Sequence, residues 1–336
     1  LTIRFESVPS PTAQQIQVVA DVTPQTPFNI PAYAAACAAV GYVPCVIALR
    51  DDSGILDGCI GFLKKGRLLR RLEIVSVPSP SASQIFWSGL LRFSRDAGIG
   101  EIEVQSYGSC HTDIPPLPGE LLRRQRNEYL IDFRSTSFPE NISTNHRRNA
   151  NRARKAGLIV RRTSEPIACG VHLDLLQSSM QRRVDRGEDI NGAHSGFFLE
   201  ALLRFGASEL FQAVRDNRIL SSILVVRSDK SAYYHSAGTS PDGMNIGASA
   251  FLICETALLL RNEGVDLFNL GGASSGENGL QRFKAGFGTK EIKLEAATIS
   301  LESSIRRHMR ISVQATFHAF RSSMRVLKAQ AMDSNR

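Results

Sequence analysis

The chain has no run approaching the ~18 apolar residues of a membrane-spanning helix, so no transmembrane segment is expected. Its amino end, LTIRFESVPSP, has no basic region leading into an apolar stretch, and a secretory signal is not expected there. The six cysteines, Cys37, Cys45, Cys59, Cys110, Cys169 and Cys254, are scattered, mostly inside apolar runs, without a CxxC pair or a Cys/His cluster. Reduced core thiols, no zinc site, and a cytoplasmic setting reaching to the inner face of the membrane are therefore expected. The sequence has no Ser-His-Asp set, no carboxylates paired at useful spacing and no metal motif. There is also no low-complexity linker.

Present instead is the composition of a soluble globular protein, in a chain of 336 residues that is long enough for two domains. A net charge of +8 points to an anionic partner such as phosphate, a nucleotide, tRNA or a membrane surface. DNA is not expected.

An internal repeat organises the chain. VIALRDDSGILDGCIGFL from Val46 and FQAVRDNRILSSILVV from Phe211 each read as strand, Arg-Asp turn (Arg50-Asp51, Arg215-Asp216) and strand. At nearly the same offset come IFWSGLLRFSRDAGIGEIEVQS from Ile85 and AFLICETALLLRNEGVDLFNLGG from Ala250. Each reads as a helix, a stop glycine (Gly98, Gly264) and a strand. The reading is a duplicated α/β (α+β) module with mixed sheets. The first module covers 1–137, the second 138–301, and a basic amphipathic C-terminal helix and tail cover 302–336.

The segment from Tyr233 to Gly288 is the most informative. It reads as strand, glycine-containing loop, buried helix, strand, glycine pair, and then Phe283-Lys284-Ala285-Gly286-Phe287-Gly288. A fixed cation at Lys284 would stabilise an oxyanion that develops only in the transition state. Gly286 and Gly288 would let the backbone approach a ligand. Asn269, Gly271 and Gly272 close the strand, where backbone N–H groups are exposed. Gly247 and Ala248 open the buried helix, whose first amides can bind an anion. His235 stands where a general base could act. The bland alternatives are a solvated lysine, packing turns and a hydrogen-bonded strand histidine. Upstream, Arg147, Arg148, Arg152 and Lys155 lie on a basic helix suited to phosphates. No aromatic is interleaved among them, so base stacking is not indicated.

This order of elements resembles the GNAT acyltransferase fold, and two copies in one chain resemble the FemAB/FemX family of tandem-GNAT transferases. The resemblance rests on Arg147, Arg148, Asn149, Lys155, Ala156, Gly157, Gly271, Gly272, Phe283, Lys284, Gly286 and Phe287. It implies that Lys284 steadies the reacting ester and Phe283 contacts the donor. Family members move amino acids from aminoacyl-tRNA onto peptidoglycan precursors. Arg183 and Arg186 resemble a family arginine region that faces the acceptor's phosphates. The chain departs from the usual GNAT pyrophosphate loop at Met244, where Arg or Gln is the rule, which argues against ordinary coenzyme A binding.

The expectation is an acyltransferase with a tandem GNAT fold. It would have no tightly bound cofactor and would take acyl-CoA or aminoacyl-tRNA as co-substrate. Its acceptor would be an amine on a phosphate-bearing cell-envelope precursor (a nucleotide-sugar or a lipid-linked compound) or on a saccharide. Rival readings are a non-catalytic binding protein that kept the fold, and a peripheral membrane scaffold. The scaffold would use the stripe Ile305, Met309, Val313, Phe317, Phe320, Met324 and Leu327, opposite a row of arginines.

Overall fold

A computed structural model describes residues 2–303, apart from residue 67 and residues 79–82, 110–113, 136, 188–194 and 274–277. The amphipathic stripe of the C-terminal helix lies outside the described residues. Among the described residues no helix is long and apolar enough to cross a membrane, and no His/Cys/Asp/Glu group could hold a metal ion.

The first repeat runs β1 (Arg4–Pro9), α1 (Ala13–Val22), α2 (Pro31–Ala39), β2 (Val43–Asp51), β3 (Gly54–Lys65), β4 (Arg70–Ile74), α3 (Ser83–Asp96), β5 (Glu101–Val104) and β6 (Glu120–Asp132). The second runs α4 (Thr144–Lys155), β7 (Ile159–Thr163), α5 (Cys169–Asp185), α6 (Gly196–Arg204), β8 (Ser208–Arg215), β9 (Arg218–Arg227), β10 (Ser231–Thr239), α7 (Pro241–Ile246), α8 (Ala248–Asn262), β11 (Leu267–Ala273), α9 (Asn278–Ala285) and β12 (Lys290–Ser300).

The repeat is visible down to backbone detail. Both hairpins carry a register shift just before the turn, at Leu49/Arg50 and at Ala213/Val214. In the second hairpin Asp216 and Asn217 take φ of 50° and 57°, the left-handed pair that a two-residue turn demands and that Asp and Asn tolerate. Gly98 and Gly264 end their helices at φ 65° and 82°. The next amides, Ile99 and Val265, return to the carbonyls of Ser94 and Leu260, which closes each helix in the same way.

All twelve strands form one sheet, ordered β1-β2-β3-β4-β5-β12-β6-β11-β10-β9-β8-β7. The last strand of each repeat is exchanged: β12 pairs with β5 and β6 pairs with β11, while β6 and β12 pair with each other at the centre. The parallel pairs are β4 with β5 and β10 with β11, the same place in each repeat. One core is shared by both repeats on the sheet face that carries α1, α2, α5 and α6. On the opposite face α3 covers the first half, and α4 and α8 cover the second. The described cysteines are buried free thiols.

Candidate active site

The site forms where β10 and β11 part. They pair in parallel only from Ser231 to Tyr233 against Leu267 to Asn269. Beyond that, β10 stays with β9 to Thr239 and β11 stays with β6 to Ala273. Each strand is irregular at the fork. β10 shifts register at His235, and β11 does so between Asn269 and Gly272, where Gly271 has φ 72°. Such bulges bend a strand and re-aim its side chains.

Lys284 comes to this fork from α9. Its side chain is not solvated: the residue is 7% exposed, and its ammonium donates to the Gly272 carbonyl at 2.6 Å. The same ammonium lies 5.8 Å from the Tyr234 ring. A buried ammonium is costly unless it is hydrogen-bonded, so Lys284 is held by design of the local backbone rather than by chance. Phe283 is half-buried and packs against the core under α8.

The two glycines that follow do a different job from the one expected. A Cβ on Gly286 would sit 2.7 Å from His146 Nε2, and one on Gly288 would sit 2.3 Å from the Asn141 side chain. Their backbones approach residues 141–146 of this chain. His146 itself had no signal in the sequence. It is buried, it donates from Nε2 to the Phe283 carbonyl at 2.7 Å, and its ring lies 4.2 Å from Phe287 and 5.0 Å from Phe283. The Ser143 amide donates to the Gly286 carbonyl at 2.8 Å. The start of α4 therefore fixes the helix that carries Lys284. Gly286→Ala is expected to lower the transfer rate at least tenfold by pushing α9 off His146, with a lower melting temperature in the same sample. Wild-type values for both in a melting and kinetic comparison would contradict this packing role.

The structure places Asn269 one layer deeper than an exposed strand end. Its amide donates to Glu128 Oε2 at 2.7 Å and its carbonyl oxygen accepts from the Gly271 amide at 2.8 Å. Glu128, on β6, is fully buried and also accepts from the Tyr233 hydroxyl at 2.8 Å and from the Gly108 amide at 3.0 Å, and it pairs with Arg126. Arg126 lies over the Tyr107 ring at 4.0 Å, and a Cβ on Gly272 would meet its guanidinium at 2.9 Å. Burial, and then the Glu128 charge, push the Tyr233 hydroxyl well above the usual phenol range, so it stays a donor. This cluster joins both repeats at the fork. Its one sequence trace is a carboxylate inside the apolar strand NEYLIDF.

Tyr233 and Tyr234 are consecutive and point to opposite sheet faces. Tyr234 faces Lys284. Tyr233 faces a cavity of about 560 Å³ between the repeats, which His235 also lines. His235 is thus placed at a chamber wall, with its ring 6.1 Å from Phe198.

Other expected residues sit elsewhere. Gly247 is not part of an open loop; it links α7 to α8 at φ 81°, and a Cβ there would lie 2.8 Å from the Asn149 carbonyl of α4. Ala248 is fully buried. Helix α4 therefore packs where an anion would approach the α8 amides. Arg147, Arg148, Arg152 and Lys155 are exposed on α4, and among the described residues none of the four has a carboxylate partner. The neighbouring Arg154 is paired with Glu255 at 2.5 Å. Arg183 and Arg186 end α5, whose Arg182 donates to the Thr239 carbonyl at 2.5 Å, and neither lines the cavity. The segment 274–277 after Ala273 lies outside the described residues.

The family model described as an acetyltransferase (GNAT) domain matches residues 141–285, the stretch from Asn141 at the α9 contact to the end of α9. No curated protein matches the chain by sequence. Among solved structures, FemX is 13% identical with a TM-score of 0.65, covering 87% of this chain and 96% of its own. L-PGS from Bacillus licheniformis is 12% identical with a TM-score of 0.52, covering 91% and 97%. The C-terminal domain of an Agrobacterium fabrum protein, provisionally described as a lysylphosphatidylglycerol synthetase, is 16% identical with a TM-score of 0.50, covering 90% and 96%. These identities speak for the fold alone. Residues 141–285 thus match the GNAT domain model, and the duplicated β-α order with its two parallel strand pairs gives the chain a tandem GNAT fold similar to that of FemX.

Proposed function

We propose that the protein is an acyltransferase that moves an aminoacyl group from an activated donor to an amine. The observation that carries this reading is Lys284, a buried ammonium aimed at the fork between β10 and β11. The bond to the Gly272 carbonyl holds that ammonium at the fork. As the acceptor nitrogen attacks the donor carbonyl carbon, a C–N bond forms and the carbonyl oxygen gains charge beside Lys284. When the carbonyl re-forms, the ester C–O bond breaks, and the leaving oxygen takes up a proton. The proton that the amine gives up balances the one that the leaving oxygen takes up, so none is gained or lost. With an acyl-CoA donor the broken bond would be C–S and the leaving group a thiol.

The donor favoured is aminoacyl-tRNA. Exposed Arg147, Arg148, Arg152 and Lys155 lie on the helix whose first turn grips α9, so the basic face and Lys284 share one side of the sheet. A coenzyme A pyrophosphate would need the first amides of α8, where Asn149 packs on Gly247, and Met244 supplies no charge there. The resemblance to FemAB/FemX transferases and the fold shared with a lysylphosphatidylglycerol synthetase domain support the same choice. The acceptor of this reading is an amine on a cell-envelope precursor or a saccharide.

The double variant Arg148→Glu, Arg152→Glu is expected to weaken tRNA binding at least tenfold at low salt. It is also expected to make the salt dependence shallower by about 1–2 in log–log slope. Filter binding across a salt series checks this. Unchanged tRNA affinity, with transfer from an acyl-CoA panel instead, would replace the donor.

A further inference from the structure

The cavity between the repeats is walled by Phe28, Tyr33, Phe62, Tyr107, Phe198 and Tyr233. Its volume of about 560 Å³ is that of a small-molecule site. The rings meet edge to face across the repeats, with Phe28 5.0 Å from Tyr233 and Tyr33 6.1 Å from Phe198. One end is acidic. Leu72 and Ile74 of β4 point into the core under α3, so Glu73 between them faces the cavity. In the parallel ladder Glu73 stands directly across from Glu103 of β5. Like charges placed so are destabilising.

The free protein offsets that pair through hydrogen bonds and through the charges of Lys64 and Arg71, neither of which forms an ion pair with it. The Tyr42 hydroxyl donates to Glu73 at 3.4 Å, and the Gln105 amide donates to Glu103. Among the described residues neither carboxylate has an ion pair. The Lys64 ammonium instead reaches the Tyr42 hydroxyl at 3.2 Å and lies 4.7 Å from the Tyr42 ring. Burial, and then Glu103, push the Glu73 carboxyl up from its ordinary range. A carboxylate with no ion pair among the described residues, at the end of an aromatic chamber, is a complement to a positively charged guest, since ring faces attract ammonium groups as carboxylates do.

We infer that this cavity binds a primary ammonium group carried on an apolar or aromatic body, with Glu73 and the Tyr42 ring at its cation-recognising end. Taking that guest as the acceptor rests on the acyltransferase reading; the binding site itself does not. The guest's apolar body would lie along the Phe28–Tyr233 wall, which leads to His235 and the fork. Lys64 is then a competitor at the rim, the charge that the guest displaces from Tyr42.

The test is calorimetric titration of the full chain with phenethylamine and, as its neutral counterpart, 2-phenylethanol, with no acyl donor present. Wild-type protein is expected to bind the amine at least tenfold more tightly than the alcohol. Glu73→Gln should bring the two to within about twofold while melting no lower than wild type, because it removes a buried like-charge neighbour. Lys64→Gln should bind the amine more tightly. Equal binding of amine and alcohol by wild type, an undiminished preference in Glu73→Gln, or weaker amine binding in Lys64→Gln would each overturn the assignment. Because no donor is present, an ammonium site without transfer would sink only the enzymatic reading. Transfer to amines without a Glu73-dependent preference would sink only this one.

Discussion

Lys284→Met is expected to slow the chemical step by about 10²–10³, or ~2.7–4 kcal/mol, the usual loss when one group that stabilises an oxyanion is removed. Methionine keeps the length and the apolar stem, so α9 should remain docked through Phe283, Phe287 and His146. The loss should therefore appear in the single-turnover rate, with donor and acceptor affinities within about threefold of wild type. A rate close to wild type would remove Lys284 from the chemistry. A rate lost together with both affinities would make it a packing residue.

The second large effect lies in the same fork and concerns stability. Glu128→Ala is expected to cost about 3–5 kcal/mol, because it leaves the largely buried Arg126 guanidinium without its charge partner. It also strips acceptors from the Tyr233 hydroxyl, the Asn269 amide and the Gly108 amide, which come from both repeats. Urea unfolding of the variant against wild type measures it. A loss below about 1 kcal/mol would mean that the cluster is well solvated or readily rearranged. The position also matters to function. Tyr233 lines the cavity, so a variant that still folds should bind amines more weakly through a displaced ring.

The parts of this fold that the sequence announced are those with local causes. An Asp-Asn turn sets a hairpin within four residues, and a glycine after an apolar helix sets its end, so the repeat could be read from Arg50-Asp51, Arg215-Asp216, Gly98 and Gly264. The exchange of β6 and β12 had no such signature, because strand partners are chosen by long-range packing that no local stretch of sequence records. The same holds at the site. Lys284 stood out as a lysine between aromatics beside glycines. The reason for Gly286 was not visible, since it depends on His146 in a segment far away in the chain. Glu128 reads as one charge in an apolar strand until donors from β10, β11 and the loop after β5 converge on it. The aromatic chamber draws on residues from Phe28 to His235, and no window of the sequence contains it.

Product formation is the decisive observation. Wild-type protein would be incubated with a set of charged tRNAs, an acyl-CoA panel, and a mixture of cell-envelope precursors and simple amines, and the amines then examined by mass spectrometry. An amine heavier by one aminoacyl group, formed by wild type and falling 10²–10³-fold in rate with Lys284→Met, is the expected result. Unmodified amines with every donor, from a protein that still binds them, would identify a binding protein that has kept the transferase fold without its chemistry.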